Sequence, residues 1–114
     1  KTARDVVLML EKVVEQGGIG QATAVPGYRS AGKTGTAQLK DGAAYGQYYA
    51  ASFFGMAPVE DPQYAMGVMI YKPKKVWTNS MAASLGYQKI LSQVLLANRV
   101  KPSTTKSPDL PTEW

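Results

Sequence analysis

The stretch that most limits what this chain can become is Tyr28-Arg29-Ser30-Ala31-Gly32-Lys33-Thr34-Gly35-Thr36-Ala37-Gln38-Leu39, because it satisfies two patterns that demand different folds. Gly27, Gly32, Lys33 and Thr34 spell G-x-x-x-x-G-K-[ST], a loop whose backbone amides cradle nucleotide phosphates. That loop works only between a buried strand and a helix starting at the lysine, so that amides and helix dipole converge on the phosphate. Neither flank supplies them. Residues 17–26 hold no apolar run and end in Pro26, which cannot donate to a ladder and biases Val25 away from helix. After Thr34, the glycines at 35, 42 and 46 are poor helix material, and the apolar run 64–70 leads into Tyr71, Lys72 and Pro73 rather than a magnesium-binding Asp. The other reading is a strand that displays Lys33-Thr34-Gly35-Thr36.

The rest of the chain falls into place around that strand. Thr2, with Asp5 three residues on, resembles a capping box, and Val6, Val7, Leu10, Val13 and Val14 share a helical face, which predicts a helix over 3–15 stopped by Gly17-Gly18. Its polar face mixes Asp5, Glu11, Lys12 and Glu15, as in a core-packing helix rather than a membrane-surface one. Residues 17–27 read as an irregular connection, and Asp41-Gly42 marks a hairpin-type turn within a longer loop. A second, aromatic strand is predicted over 47–57, a turn over 58–62, and a third strand over 64–71, whose nearly continuous apolar run implies cover on both faces. The lysines at 72, 74 and 75 read as a solvated turn in a loop over 72–78. A last helix runs from Asn79 or Ser80 to Ala97, packing through Leu85, Tyr87, Ile90, Leu91, Val94 and Leu95. From Val100 to Trp114, proline, lysine, serine and threonine leave little to bury, so that tail is expected to be extended or disordered. The sum is an α+β layer of helix, three antiparallel strands and helix, which standing alone would leave a sheet edge and a sheet face uncovered.

Composition excludes several chemistries. The chain has 114 residues, room for one domain at most. It has no Cys and no His, which rules out disulfides, metal sites of the usual nitrogen and sulfur kind, and a Ser-His-Asp triad. Any proton shuttle must use Lys, Asp, Glu or Tyr, and no cofactor is expected. The net charge of +5 is spread along the chain, so no nucleic-acid partner is expected, and no apolar stretch reaches transmembrane length.

In a strand, Thr34 and Thr36 point to one face and Lys33 and Gly35 to the other. Two hydroxyls beside a fixed cation suit a carboxylate, an edge strand can pair with an extended peptide, and Gly35 leaves room for its approach.

Lys-Thr-Gly also accompanies S-x-x-K and S-D-N motifs in penicillin-recognising enzymes. Ala24-Val25-Pro26-Gly27-Tyr28-Arg29, leading into Ala31 through Gln38 and then the aromatic run Tyr48 through Pro58, resembles the C-terminal part of the transpeptidase domain of class B penicillin-binding proteins, from about Thr2 to Leu96. Residues 101–114 resemble, more faintly, the tail of actinobacterial septal transpeptidases. The resemblance implies a penicillin-binding/serine β-lactamase-like fold, with a domain portion over 1–99 and a tail over 100–114. It implies catalytic roles for Lys33 and for the backbone amide of Thr36 as an oxyanion donor, and substrate binding by Thr34, Gly35 and Thr36. The implied activity is a peptidoglycan D,D-transpeptidase that cross-links stem peptides through an acyl-serine and is acylated by β-lactams. The implied partners are the N-terminal half of the same domain, stem peptides, β-lactams and cell-division proteins, at the outer face of the cytoplasmic membrane through an anchor outside this chain.

The family's nucleophile needs a serine with a lysine one helical turn later. Ser30 with Lys33 and Ser103 with Lys106 both spell S-x-x-K, but the first falls in the strand motif and the second in the proline-rich tail, and no S-x-N occurs. Nucleophile and base are therefore expected outside this chain, which alone would be inactive. Rival readings are a serine β-lactamase or carboxypeptidase and a noncatalytic peptidoglycan-binding or interaction module. Tyr71 and Trp77, in a position where some relatives bring aromatic residues to the ligand, read first as packing residues.

Overall fold

The computed structural model describes residues 1–74 and 81–111. A helix α1 (Thr2–Val14), a 3-10 turn (Gln21–Thr23), strands β1 (Ala31–Asp41), β2 (Ala44–Ala57) and β3 (Tyr64–Tyr71), and a helix α2 (Met81–Ala97) follow in that order. The three strands form one antiparallel sheet in the order β1-β2-β3, so β1 and β3 both have a free edge among the described residues. The expected α+β order of helix, three antiparallel strands and helix is what is found.

Local chemistry explains most boundaries and corrects a few. The start of α1 is not a capping box: Lys1 is the N-cap without a side-chain bond, Thr2 lies inside the helix, and the Lys1 carbonyl accepts from the Asp5 N–H at 3.1 Å. Gly17 stands just beyond the helix with φ 86°, the left-handed backbone that glycine adopts without strain. The turn after β1 is tighter than the loop expected, because Asp41 pairs with Ala44 and Lys40 with Tyr45 around Gly42 at φ 67°. The strands slip between Gln38 and Lys40, where Leu39 opposes three residues of β2.

One sheet face carries the core. Phe53 and Ala57 of β2, Tyr87, Leu91 and Leu95 of α2, and Val14 and Val25 from the chain before β1 are buried together. Ala83, Tyr87, Leu91 and Leu95 form a row of every fourth residue, the ridge by which a helix lies on its neighbour. Leu85 and Ile90, expected in that stripe, are 58% and 50% exposed on the outer side, while Ala83 and Ser84 take their place. Both sides of α2 are apolar, so periodicity alone could not select the ridge.

β3 shows the uncovered sheet face expected of these strands standing alone. Its residues alternate between half-buried and exposed, and Ala65, Gly67, Met69 and Tyr71 lie exposed on the face away from α2. The Phe54 ring, 56% exposed, sits on that face over Gly67. An apolar run says that a strand avoids polar residues; it does not say that the cover for its second face lies among the described residues.

The segment after α2 is extended; Val100 packs against the core, and residues 100–107 are otherwise docked on the body through hydrogen bonds. Trp77, Trp114, Lys75 and the expected helix start at Asn79 or Ser80 lie outside the described residues.

Candidate active-site edge

Lys33, Thr34, Gly35 and Thr36 lie within β1, an edge strand among the described residues, so Gly32-Lys33-Thr34 is strand and not the start of a helix. This removes the phosphate-loop alternative. The two S-x-x-K matches also fail as helical pairs, because Ser30 and Lys33 straddle the start of β1 and Ser103 to Lys106 are extended chain.

The ladder fixes which backbone groups face outward. In an antiparallel pair, the N–H and C=O of one residue point to the same side and successive residues alternate. On β2, the Tyr49 carbonyl accepts from the Lys72 N–H at 3.1 Å and the Ala57 carbonyl from the Gln63 N–H at 3.2 Å, so odd-numbered residues of β2 face β3. Thr34 pairs in register with Phe53 and Thr36 with Ala51. The backbone groups of Thr34 and Thr36 therefore turn away from β2, onto the open edge. The Gly35 carbonyl has the opposite sense, and the Ser52 hydroxyl donates to it at 3.3 Å.

The side chains keep the expected alternation, but the edge lets one of them bend round. Lys33 Nζ donates to the Thr34 carbonyl at 3.0 Å and to Thr34 Oγ1 at 3.2 Å. With no strand among the described residues on that side, the ammonium wraps over the edge and joins the hydroxyl that alternation places on the other face. Lys33 and Thr36 are exposed and Thr34 and Gly35 half-buried. The result is a cation, two hydroxyls and outward-turned peptide groups along one line, an arrangement that can hold a carboxylate and an extended peptide and can donate to a developing oxyanion.

Behind the edge lies a support that sequence reasoning missed. Arg29 Nε donates to Glu11 Oε1 at 2.7 Å and Nη2 to Oε2 at 2.8 Å, a two-armed grip on a carboxylate that is only 2% exposed. This hydrogen bond, with the nearby negative charge, raises the pKa of Arg29 against the opposing effect of burial. Ser52 was missed as well; its only signal is alternation, which puts it opposite Gly35 on the Lys33 face. Lys72, expected to be merely solvated, lies with φ 49° and its ammonium 5.0 Å from the Tyr48 ring centre and 5.6 Å from that of Tyr71. Tyr71 is accordingly no core residue; it is 64% exposed. Among the described residues, no group of three or more metal-ligating side chains comes together.

Comparison with known proteins agrees with this geometry. The penicillin-binding protein transpeptidase domain family matches residues 1–95, and the chain belongs to that family. It is 35% identical to the peptidoglycan D,D-transpeptidase FtsI of Buchnera aphidicola over 90% of this chain and 18% of that protein. It is 36% identical to the penicillin-binding protein PbpB of Mycolicibacterium smegmatis over 96% of this chain and 19% of that protein. The chain thus spans about a fifth of the length of these relatives. Among solved structures, the transpeptidase domain of Burkholderia pseudomallei penicillin-binding protein 3 superimposes with a TM-score of 0.82 at 37% identity, covering 91% of this chain and 32% of that one. Penicillin-binding protein 3 of Mycobacterium tuberculosis, solved with ampicillin, gives 0.82 at 31% identity, covering 94% and 26%.

Proposed function

We propose that this chain forms the C-terminal wall of the active-site cleft of a class B peptidoglycan D,D-transpeptidase, with residues 1–99 as the C-terminal portion of the catalytic domain and 100–114 as its tail. The observation that carries the reading is the open edge of β1, where Lys33 meets Thr34 and the peptide groups of Thr34 and Thr36 face outward. A serine and a general-base lysine outside this chain complete the site, and the chain alone is inactive.

In the reaction proposed, the serine oxygen attacks the carbonyl carbon between the two terminal D-alanines of a stem peptide, giving its proton to the base. The Thr36 N–H is one of the donors to the oxyanion. Removing one such donor typically lowers the rate by about 10²- to 10³-fold. The C–N bond then breaks, the leaving D-alanine takes the proton, and an amine of a neighbouring stem displaces the serine from the ester. The hydroxyls of Thr34 and Thr36 hold the terminal carboxylate, Lys33 keeps the cleft positive and assists proton movement, and Gly35 keeps the edge free for the peptide. β-Lactams acylate the same serine, consistent with the ampicillin complex of the mycobacterial relative.

The face carrying Phe54, Met69 and Tyr71 and the free edge of β3 fit the N-terminal half of the domain, which would cover both. No helix among the described residues is long and apolar enough to cross a membrane. In the proposed setting the parent protein is anchored elsewhere, works at the outer face of the cytoplasmic membrane, and meets cell-division proteins there.

A fluorescent penicillin, applied to the full-length parent and to this chain, tests the proposal, with the labelled peptide located by mass spectrometry. Label on a serine upstream of residue 1 in the parent, and none on the isolated chain, is expected. No label on the parent, or label on Ser30 or Ser103, overturns the reading.

A further inference from the structure

The family match ends at residue 95, yet the chain after α2 returns to the segment that leads into the active-site strand. The Val100 carbonyl accepts from the Tyr28 hydroxyl at 2.7 Å. The Ser103 N–H donates to the Gly27 carbonyl at 2.9 Å, and Ser103 Oγ accepts from the Arg29 N–H at 2.8 Å. Thr105 Oγ1 accepts from Arg29 Nη1 at 2.8 Å, and Ser107 Oγ accepts from Lys12 Nζ on α1 at 3.0 Å. Residues 100–107 are thus a strap stitched by polar bonds, which explains why a segment with little to bury is nonetheless docked.

Two of those five bonds go to Arg29, which also reaches α1 and the β2–β3 turn. Its side chain holds the Glu11 carboxylate of α1, its carbonyl accepts from the Val59 N–H of the β2–β3 turn at 2.9 Å, and its N–H and Nη1 bond the strap. Arg29 is therefore held from three directions, two residues before β1 begins and four before Lys33. Among the described residues β1 pairs with β2 alone and packs on α1, so its placement depends on β2, on α1 and on the point where the chain enters.

We infer that Arg29, locked by Glu11 and by the strap hydroxyls of Ser103 and Thr105, is a positioning residue that fixes the entry of β1 and thereby the place of the Thr36 N–H at the reacting carbonyl. The inference rests on the transpeptidase reading above. It requires the planar fork of arginine, because lysine supplies the charge but not parallel donors to Glu11 with a further arm for Thr105. A displaced oxyanion donor weakens the transition state and leaves ground-state binding almost unchanged.

The test uses the full-length parent as wild type, Arg29→Lys, Ser103→Ala with Thr105→Ala, and Ser103→Thr. For each, stopped-flow measurement with a fluorescent penicillin gives the acylation rate constant and the affinity of the noncovalent complex; the final labelled fraction and Tm are recorded beside them. Arg29→Lys and the double alanine variant are expected to acylate about 10-fold more slowly, since small misplacements are costly at a reacting centre, with affinity and final labelled fraction unchanged. Ser103→Thr, which keeps the hydroxyl, is expected to acylate like wild type. Unchanged rate constants overturn the inference while leaving the transpeptidase reading intact. A loss confined to affinity, or one that merely follows a lower labelled fraction and a lower Tm, also overturns it, because a simple structural bolt would do the same. A wild-type parent that takes no label removes the underlying reading and this inference with it.

Discussion

The ring of Phe53 fills the space into which Gly32 would project a side chain: a Cβ at Gly32 would lie 2.5 Å from Cε1 and Cζ of that ring. Phe53 is fully buried and meets Tyr87 edge-on, with ring centres 4.6 Å apart and planes at 63°, so it cannot easily retreat. Gly35 stands in a different situation. A Cβ there would meet Ser52 Oγ at 2.6 Å, the tip of a small side chain that can turn away and give up a long hydrogen bond. Of the two glycines flanking Lys33-Thr34, the first is required by the core and the second by the edge.

Gly32→Ala is therefore expected to destabilise the domain by about 1 to 3 kcal/mol, the usual penalty for overpacking a filled core. Gly35→Ala is expected to change stability by less than about 1 kcal/mol, as for a surface strand position, while slowing penicillin acylation. Thermal unfolding of the full-length parent beside its labelling rate checks both. Equal stability losses at the two positions would show that the Phe53 contact is not the distinguishing feature.

Tyr87 carries a cost inside the same cluster. The residue is 1% exposed, its hydroxyl finds no hydrogen-bond partner among the described residues, and burial drives its pKa well above the ordinary tyrosine value. A buried hydroxyl without a partner forfeits its hydration, so Tyr87→Phe is expected to be neutral or to stabilise by up to about 1 kcal/mol. Tyr87→Ala, which removes the ring packed on Phe53, is expected to cost about 3 to 5 kcal/mol. A clear loss of stability in Tyr87→Phe would mean that the hydroxyl is bonded in solution.

Much of this was legible in the sequence, and the parts that were not have common causes. The strand with Lys33-Thr34-Gly35-Thr36 could be read because glycine, proline and apolar runs control backbone choice locally. The α2 ridge could not, because Leu85 and Ile90 are as apolar as Leu91 and Leu95, and only the position of the sheet selects among them. The exposed second face of β3 agrees with a sheet expected to stand partly uncovered in this chain, but hydrophobicity does not identify what provides the cover. The docking of residues 100–107 escaped because the Ser103 N–H on Gly27 and the hydroxyls of Ser103 and Thr105 on Arg29, each across more than seventy residues, leave no periodic trace. The Arg29–Glu11 pair was hidden for the same reason: two charges on separate elements look solvated until the fold brings them together.

Among the described residues Lys33 bonds only its neighbour Thr34, and it is exposed, so its removal should affect chemistry and not folding. Lys33→Ala is expected to lower the acylation rate by about 10²-fold or more, in the range of proton-transfer assistance, with Tm unchanged. Thr36→Val keeps the outward N–H and loses the hydroxyl. It is expected to weaken noncovalent penicillin binding by about 1.5 to 3 kcal/mol, the size of a hydrogen bond to a charged group, with a smaller effect on the acylation step. If Thr36→Val lost rate but not affinity, the hydroxyl would not be the carboxylate's partner.

Glu15 gives the docked strap a pH dependence. Partial burial would raise its pKa, but hydrogen bonds from Ser107 and Lys12 and the charges of Lys12 and Arg29 together hold it below its ordinary 4.5. Because the folded value is the lower one, the stabilisation is complete above 4.5 and is lost as pH falls through the folded value. The side chain is 35% exposed, so solvent screening limits the effect to below about 1 kcal/mol. Glu15→Gln is expected to lower stability slightly near neutral pH, with the difference from wild type vanishing in acid. Unfolding measured for both proteins across that range checks it, and a difference that persists in acid would rule out the ion pair as its source.

Glu11 and Arg29 put the opposite demand on each other, because both are largely withdrawn from water, with side chains 3% and 14% exposed. Removing one partner leaves a buried charge, whereas removing both leaves a packing problem. Arg29→Met is expected to destabilise the domain by about 3 to 5 kcal/mol, because the Glu11 carboxylate then lacks both of its donors. Glu11→Leu added to Arg29→Met should recover most of that loss, since an apolar pair of similar volume commonly replaces a buried ion pair at little cost. The double variant still keeps the backbone bonds of residue 29 to Ser103 and Val59, yet it lacks the fork and its bond to Thr105. Restored Tm with acylation still slow would separate the pair's contribution to folding from its hold on the β1 edge. Full recovery of both would mean that the backbone bonds alone suffice to place that edge.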